Sequence, residues 1–290
     1  MGRSRAVWRS NSGRLHETEL MVPIADGADA APGGRLAALA RELGRSDREW
    51  AILAEGNCSL LTESGDVHVK ASGAEMGTAT PADFVELPLS ELLSLIDDDG
   101  AGDDDVRRVF DAVAKRSVGR RPSVESLLHA VCLEQPGVTV VGHTHPVPVN
   151  AILCSSQPTL LTDGALFPDQ IVVLGTSPLL VPYVDPGLLL AQEVRRMLRE
   201  RTDGVPRVIY LQNHGMFPLG SSETDVLQIT QMAVKVASVL IGAASVGTPI
   251  FLDPAEMARI HTRPDELLRR DALAKRTGTG DMRAVPENML

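Results

Sequence analysis

The stretch "VVGHTHPVPVN", Val140 to Asn150, joins a β-branched apolar run to two histidines one residue apart, with two prolines close behind. Taken from Val138, "VTVVGHTH" reads as a buried strand. In a strand, residues i and i+2 point to the same side, so His143 and His145 can aim two imidazoles at one point. That arrangement suits a divalent metal. It also suits two hydrogen-bonded histidines at a strand end, and the pair alone does not choose between them.

The segments around the pair alternate in type. Before it, "RPSVESLLHAVCLEQPG" reads as a helix capped by Ser123, with an apolar stripe of Val124, Leu127, Leu128 and Val131 and a stop at Pro136-Gly137. After it, "QIVVLG" reads as a short strand, and Asp185-Pro186 opens a helix to about Arg201. "RVIYLQ" is a further strand, ending in "NHG". Ser222 and Asp225 resemble a capping box for a long helix whose stripe is Val226, Ile229, Ala233, Val236 and Leu240. One or two amphipathic helices follow Asp253.

Toward the N-terminus, Leu36, Leu39, Ala40 and Leu43 mark a helix closed by Gly44. Two short runs flank Ser64-Gly65-Asp66 as a hairpin, with Val67 and Val69 on one face and His68 and Lys70 on the other, half-exposed side. The acidic block Ile96 to Asp105 lacks the ordered ligand spacing of a calcium loop and reads as a solvated loop. Helices and strands mix without strict βαβ alternation, which gives one α/β domain with a mixed sheet. Residues 1–33 are expected to form a flexible extension, 34–275 the domain, and 276–290 a polar tail.

Composition narrows the function. The formal net charge is −10, which argues against a nucleic-acid partner. No continuous apolar run has the roughly 18–20 residues of a membrane span, and no secretory signal is expected, so a cytoplasmic protein is the simplest reading. Three scattered cysteines form neither a disulfide framework nor a Cys-x-x-Cys zinc site.

A third metal ligand is sought among the remaining histidines. His214, just past a strand and before a glycine, fits best, because three histidines with an open position make a catalytic zinc pattern. His16 falls in the extension, His129 inside a helix and His261 in a polar segment, and these look less useful. Glu125 lies in the first turn of the helix that runs into the histidine strand. It is either a surface carboxylate stabilising its own helix or a proton-transfer group folded back toward the metal.

Six motifs occur in order: "GNCS" (56–59), "ASG" (71–73), "PSVE" (122–125), "HTH" (143–145), "VPYVDPG" (181–187) and "NHG" (213–215). In this they resemble the class II aldolase/adducin superfamily, which includes fuculose-1-phosphate and rhamnulose-1-phosphate aldolases. The resemblance implies an α/β/α sandwich around a mixed, mainly antiparallel sheet, and a homotetramer. It implies Zn2+ on His143, His145 and His214, a site that cobalt, manganese or iron could also occupy, with Glu125 as the catalytic acid/base. Asn57, Ser72, Gly73 and Ser123 would line a pocket for a substrate phosphate.

The implied reaction is aldol cleavage or formation in a small ketose phosphate or related hydroxy-carbonyl compound through a zinc-stabilised enediolate. Val124 stands where fuculose-type aldolases carry a second serine. The segment after the histidine pair lacks their tyrosine proton donor. An epimerase, dehydratase or decarboxylase on a sugar phosphate, or a non-catalytic adducin-like interaction domain, is the alternative. A glutamate rather than an aspartate at position 125 points away from the epimerase branch.

Overall fold

The computed structural model describes residues 31–265 and Leu268. The expected polar tail and nearly all of the expected N-terminal extension lie outside the described residues. Order begins slightly earlier than expected: α1 spans Pro32–Leu43, because a proline in the first helical turn is already shaped for a helix. Its stripe of Leu36, Leu39, Ala40 and Leu43 is buried, and Gly44 is its C-cap.

Strands β1 (Asn57–Leu61) and β2 (Asp66–Lys70) form the expected hairpin, and β3 (Phe84–Pro88) adds to it. Helices α2 (Leu89–Asp97) and α3 (Asp103–Arg116) divide the acidic block between them. The expected loop is therefore shorter than read. Asp103, Asp104 and Asp105 make the first turn of α3, where carboxylates are favoured by the unpaired N–H groups.

Next come α4 (Ser126–Leu133), β4 (Val140–His143) and α5 (Val147–Leu153). The segment read as the strand "QIVVLG" is instead helix α6 (Pro168–Leu174). Its β-branched residues suggest a strand, but Pro168 sets the first helical turn and Gly175, at φ 73°, ends the helix. Then follow β5 (Leu179–Val181), α7 (Leu188–Glu200), β6 (Val208–Leu211), β7 (Gly215–Gly220), α8 (Glu223–Val246) and α9 (Pro254–Thr262). Helix α7 starts at Leu188 rather than at Asp185-Pro186, with Gly187 as its N-cap.

The seven strands form one sheet in the order β3-β2-β1-β4-β7-β6-β5, and every pairing is antiparallel except β5 with β6. One face carries Val67, Val69, Val141, Phe217 and Leu219, covered by α2, α4 and α7. The other carries Cys58, Leu60, Val140, Val208 and Tyr210, covered by α1, α5, α6 and α8. The protein is thus a three-layer α/β/α sandwich on a mixed sheet. A fully buried valine or leucine in such a layer contributes about 1.5–3 kcal/mol.

Helix α8 starts where the capping residues placed it, with the Ser222 hydroxyl accepting from the Asp225 N–H. Its 24 residues are long and apolar enough, by length and composition, to cross a membrane, although polar residues interrupt the apolar run. In the fold its stripe of Val226, Ile229, Ala233, Val236 and Leu240 is buried beneath the sheet.

Candidate metal centre

Sheet register assembles the site. Strand β1 pairs with β4 so that Asn57 lies opposite His143 and Ser59 opposite Val141. Cross-strand partners share a face, so Asn57, Ser59 and His143 all point toward the layer that holds α4. On the other side β4 pairs with β7, Val141 opposite Leu219, and Thr144 continues as a bridge to Met216. Strand β4 itself stops at His143. His145 therefore lies past the strand and not within it. It is held by its own N–H on the Trp50 carbonyl at 2.7 Å. His214 sits in the tight β6–β7 connection, after Asn213 at φ 56°, a left-handed conformation that asparagine tolerates.

The ligand nitrogens of His143, His145 and His214 lie within 4.8 Å of one another. The Nε2 atoms of His143 and His145 are 2.9 Å apart. The ring of His143 is fully buried and stacks on Phe217, with centroids 4.2 Å apart. Its Nδ1 donates to the Met216 carbonyl at 3.1 Å. The Nδ1 of His145 donates to Glu55 Oε2 at 3.0 Å. Both acceptors hold a proton on Nδ1, so each ring turns its Nε2 inward, toward the other imidazole. At that separation the two Nε2 atoms either share a proton or hold a cation between them. This donor set therefore fits a divalent metal ion, and a carboxylate behind one ligand is a common way to orient such a histidine. Among the described residues, His214 Nδ1 has no protein partner.

Glu125 is the N-cap of α4. This corrects the assignment of Ser123 as cap. Ser123 instead forms a turn with Ser126, and its Oγ accepts from Asn57 Nδ2 at 3.2 Å. Val124, read as part of the stripe, is 55% exposed, because the helix begins after it. One carboxylate oxygen of Glu125, Oε1, is 3.1 Å from His143 Nε2 and 3.0 Å from His214 Nε2. The other, Oε2, accepts from Asn57 Nδ2 at 2.6 Å. Burial opposes its ionisation, but the charges and hydrogen bonds of His143 and His214 carry its carboxyl well below the ordinary range. Burial and the neighbouring His143 push His145 down to about 4, against the pull of Glu55.

The other expected site residues are close by along the backbone. Ser123 N–H donates to the Lys70 carbonyl at 3.3 Å and Ser72 N–H to the Arg121 carbonyl at 2.9 Å, so residues 70–72 run beside 121–123. Ser72 and Gly73 are exposed. Gly73 has φ 80° and open space where a side chain would be. Asn57 is buried, and its amide is turned to Ser123 and Glu125.

Lys70 is buried rather than half exposed, because the loop segments at Ala54 and Ala74 meet its side chain on the face that alternation left open. Its Nζ donates to the carbonyls of Ala54, at 3.4 Å, and Ala74, and burial lowers its pKa. Glu55 and His129 are the contributors that sequence reasoning passed over. Glu55 directly precedes the Gly-Asn-Cys-Ser motif, which was the available signal. His129 sits one helical turn after Glu125, so it faces the same way.

Gly215 admits no side chain. A Cβ there would stand 2.5 Å from His145 Cδ2 and 2.7 Å from the Thr144 carbonyl oxygen. Gly215→Ala is expected to displace the His145 ring and lower metal affinity by about 10- to 100-fold, the loss typical when a ligand's orientation is disturbed. A metal-buffered titration of the purified variant measures it, and unchanged affinity would show that the ring has room to move.

Comparison with known proteins agrees with this geometry. The sequence profile of the Class II Aldolase and Adducin N-terminal domain matches residues 34–241. The chain is 26% identical over 202 residues to a Bacillus subtilis (strain 168) protein named "Uncharacterized oxidoreductase YuxG". That match covers 66% of this chain and 27% of the relative, so the chain spans about a quarter of that protein's length. Among solved structures, an L-fuculose 1-phosphate aldolase superposes with a TM-score of 0.60 at 17% identity, covering 80% of this chain and 96% of that one. YgbL of Klebsiella pneumoniae, described as a putative aldolase/epimerase/decarboxylase, superposes with a TM-score of 0.59 at 20% identity, covering 78% and 95%. These structural likenesses establish the shared fold. With the profile spanning most of the sheet and its helices, the chain belongs to the class II aldolase and adducin N-terminal domain family.

Proposed function

We propose that the protein is a zinc-dependent aldolase that cleaves or forms a C–C bond in a small ketose phosphate or related hydroxy-carbonyl compound. The observation that carries the reading is the set of three imidazoles with the Glu125 carboxylate at 3.0–3.1 Å from two of them. His143, His145 and His214 would hold the ion, which when bound supplies positive charge for a substrate oxygen that becomes anionic. Glu125, kept ionised, accepts a proton from the substrate carbon and returns it, as the catalytic acid/base. The hydroxyls of Ser72 and Ser123 and the Gly73 N–H orient the substrate phosphate, with Asn57 behind them. Subunits would assemble as a tetramer in the cytoplasm.

Retro-aldol cleavage of a panel of ketose 1-phosphates, with and without chelator, tests the proposal. Chelator-sensitive release of an aldehyde is expected. No cleavage of any member by metal-loaded protein would overturn it.

A second reading is favoured by the tyrosines. The chain has two; Tyr210 is buried in the core and the Tyr183 hydroxyl donates to Asp185 at 2.8 Å. With no tyrosine in the segment after the histidine pair, a same-fold epimerase, dehydratase or decarboxylase would use the same ligands. Product analysis in the same panel separates these reactions. A purely adducin-like interaction domain would not need the complete donor set.

A further inference from the structure

A chain of hydrogen bonds runs from Glu125 into the core. Asn57 Nδ2 donates to Glu125 Oε2 at 2.6 Å, Asn57 Oδ1 faces His129 Nε2, and His129 Nδ1 lies 2.7 Å from Ser59 Oγ. Asn57, Ser59 and His129 are each no more than 2% exposed, so no solvent competes for these bonds. Each direction is forced by the one before it. An ionised carboxylate only accepts, so the amide nitrogen of Asn57 must face Glu125. Its carbonyl oxygen then faces His129, whose Nε2 must carry a proton. Burial pushes His129 down to about 3, so the ring is neutral and Nδ1 must accept from the Ser59 hydroxyl.

We infer that His129 is a positioning residue acting through Asn57: it locks the amide with both donors on Ser123 and Glu125, and so fixes which Glu125 oxygen is left to face the imidazoles. The inference rests on the proposed role of Glu125. It assigns Asn57 to holding the acid/base instead of to the substrate phosphate. Without the His129 donor the buried Asn57 carbonyl oxygen is left unpaired, and the amide, held at one end only, shifts to satisfy it and loosens its hold on Glu125. Glu125 would then leave its place although no group that touches substrate or metal had changed. Ser59, at the far end, supplies the hydroxyl proton that His129 Nδ1 accepts.

Two measurements test this. The first needs no turnover: 15N NMR of the imidazoles in the zinc-loaded full chain, with the His129 signals identified by their loss in His129→Phe. A neutral, Nε2-protonated His129 is expected; an Nδ1-protonated ring or an imidazolium overturns the inference.

The second is deuterium exchange from solvent into dihydroxyacetone phosphate. His129→Phe is expected to keep its zinc and its apparent KM and to lose about tenfold or more in exchange rate, with His129→Gln restoring most of it because its amide can donate to Asn57. In an Asn57→Ala background His129→Phe is expected to add nothing, since a residue acting through Asn57 has nothing left to act on. Equal losses in both backgrounds would mean that His129 serves only packing, and that overturns the inference. If wild-type protein exchanges no deuterium, the proposed reaction falls and the tautomer alone decides the relay.

Discussion

Glu125→Gln is expected to keep its metal and lose about 10²- to 10⁴-fold in turnover, the range that general acid–base catalysis supplies. The substitution preserves shape. A glutamine carbonyl can still accept from Asn57 Nδ2, which lies 2.6 Å from Oε2. What disappears is the charge at Oε1, the atom 3.0–3.1 Å from His214 and His143, and with it the capacity to take a proton from carbon. None of the three Nε2 donors is touched, so metal content measured on purified protein should match wild type. KM should change little, because a group that acts on the reacting proton contributes mainly in the transition state. Turnover at the wild-type rate would remove Glu125 from the chemistry.

His143→Ala is expected to produce the opposite pattern, in which metal is lost first and activity follows. This residue is the centre of the cluster. Its Nε2 is 2.9 Å from that of His145 and 3.1 Å from Glu125 Oε1, and its ring packs on Phe217. Affinity should fall by more than the roughly 10- to 100-fold that outer partners control. Two imidazoles at a site open to solvent hold zinc weakly.

The ring is fully buried, so its removal also leaves a cavity and lowers stability. His214→Ala, at a side chain 14% exposed, serves as the control that keeps the core intact. Both variants should bind little metal by atomic absorption. A His214 variant with normal metal content would dissolve the three-histidine site.

The sequence showed the elements whose signals are local. The hairpin around Gly65, the buried strand read from "VTVVGHTH" and the α8 stripe follow from period and capping, and the fold bears them out, except that the strand stops at His143, two residues short. The misread elements share a cause. "QIVVLG" was judged by its β-branched residues, while the proline two residues earlier already imposed helix. Ser123 was given a cap because hydroxyls favour caps, but its hydroxyl is engaged by Asn57 across the sheet. Lys70 alternates away from Val67 and Val69 as expected, and the sequence could not say that loops would cover that side. His129 looked like a helix residue without a role because its partners, Asn57 and Ser59, come from a strand far earlier in the chain.

By itself, the sequence determined the kinds of candidate ligand, the two-residue step between His143 and His145, and the carboxylate at the head of the adjoining helix. These are properties of neighbouring residues, and backbone geometry fixes them at short range. Only the tertiary structure decided that His214 and Glu125 join that pair, that Glu55 and Asn57 hold them from behind, and that Gly215 leaves room for the rings. Those relations depend on β4 lying between β1 and β7 in one particular register. Register between distant strands is set by the burial of whole faces against both helical layers, a property that no single segment contains.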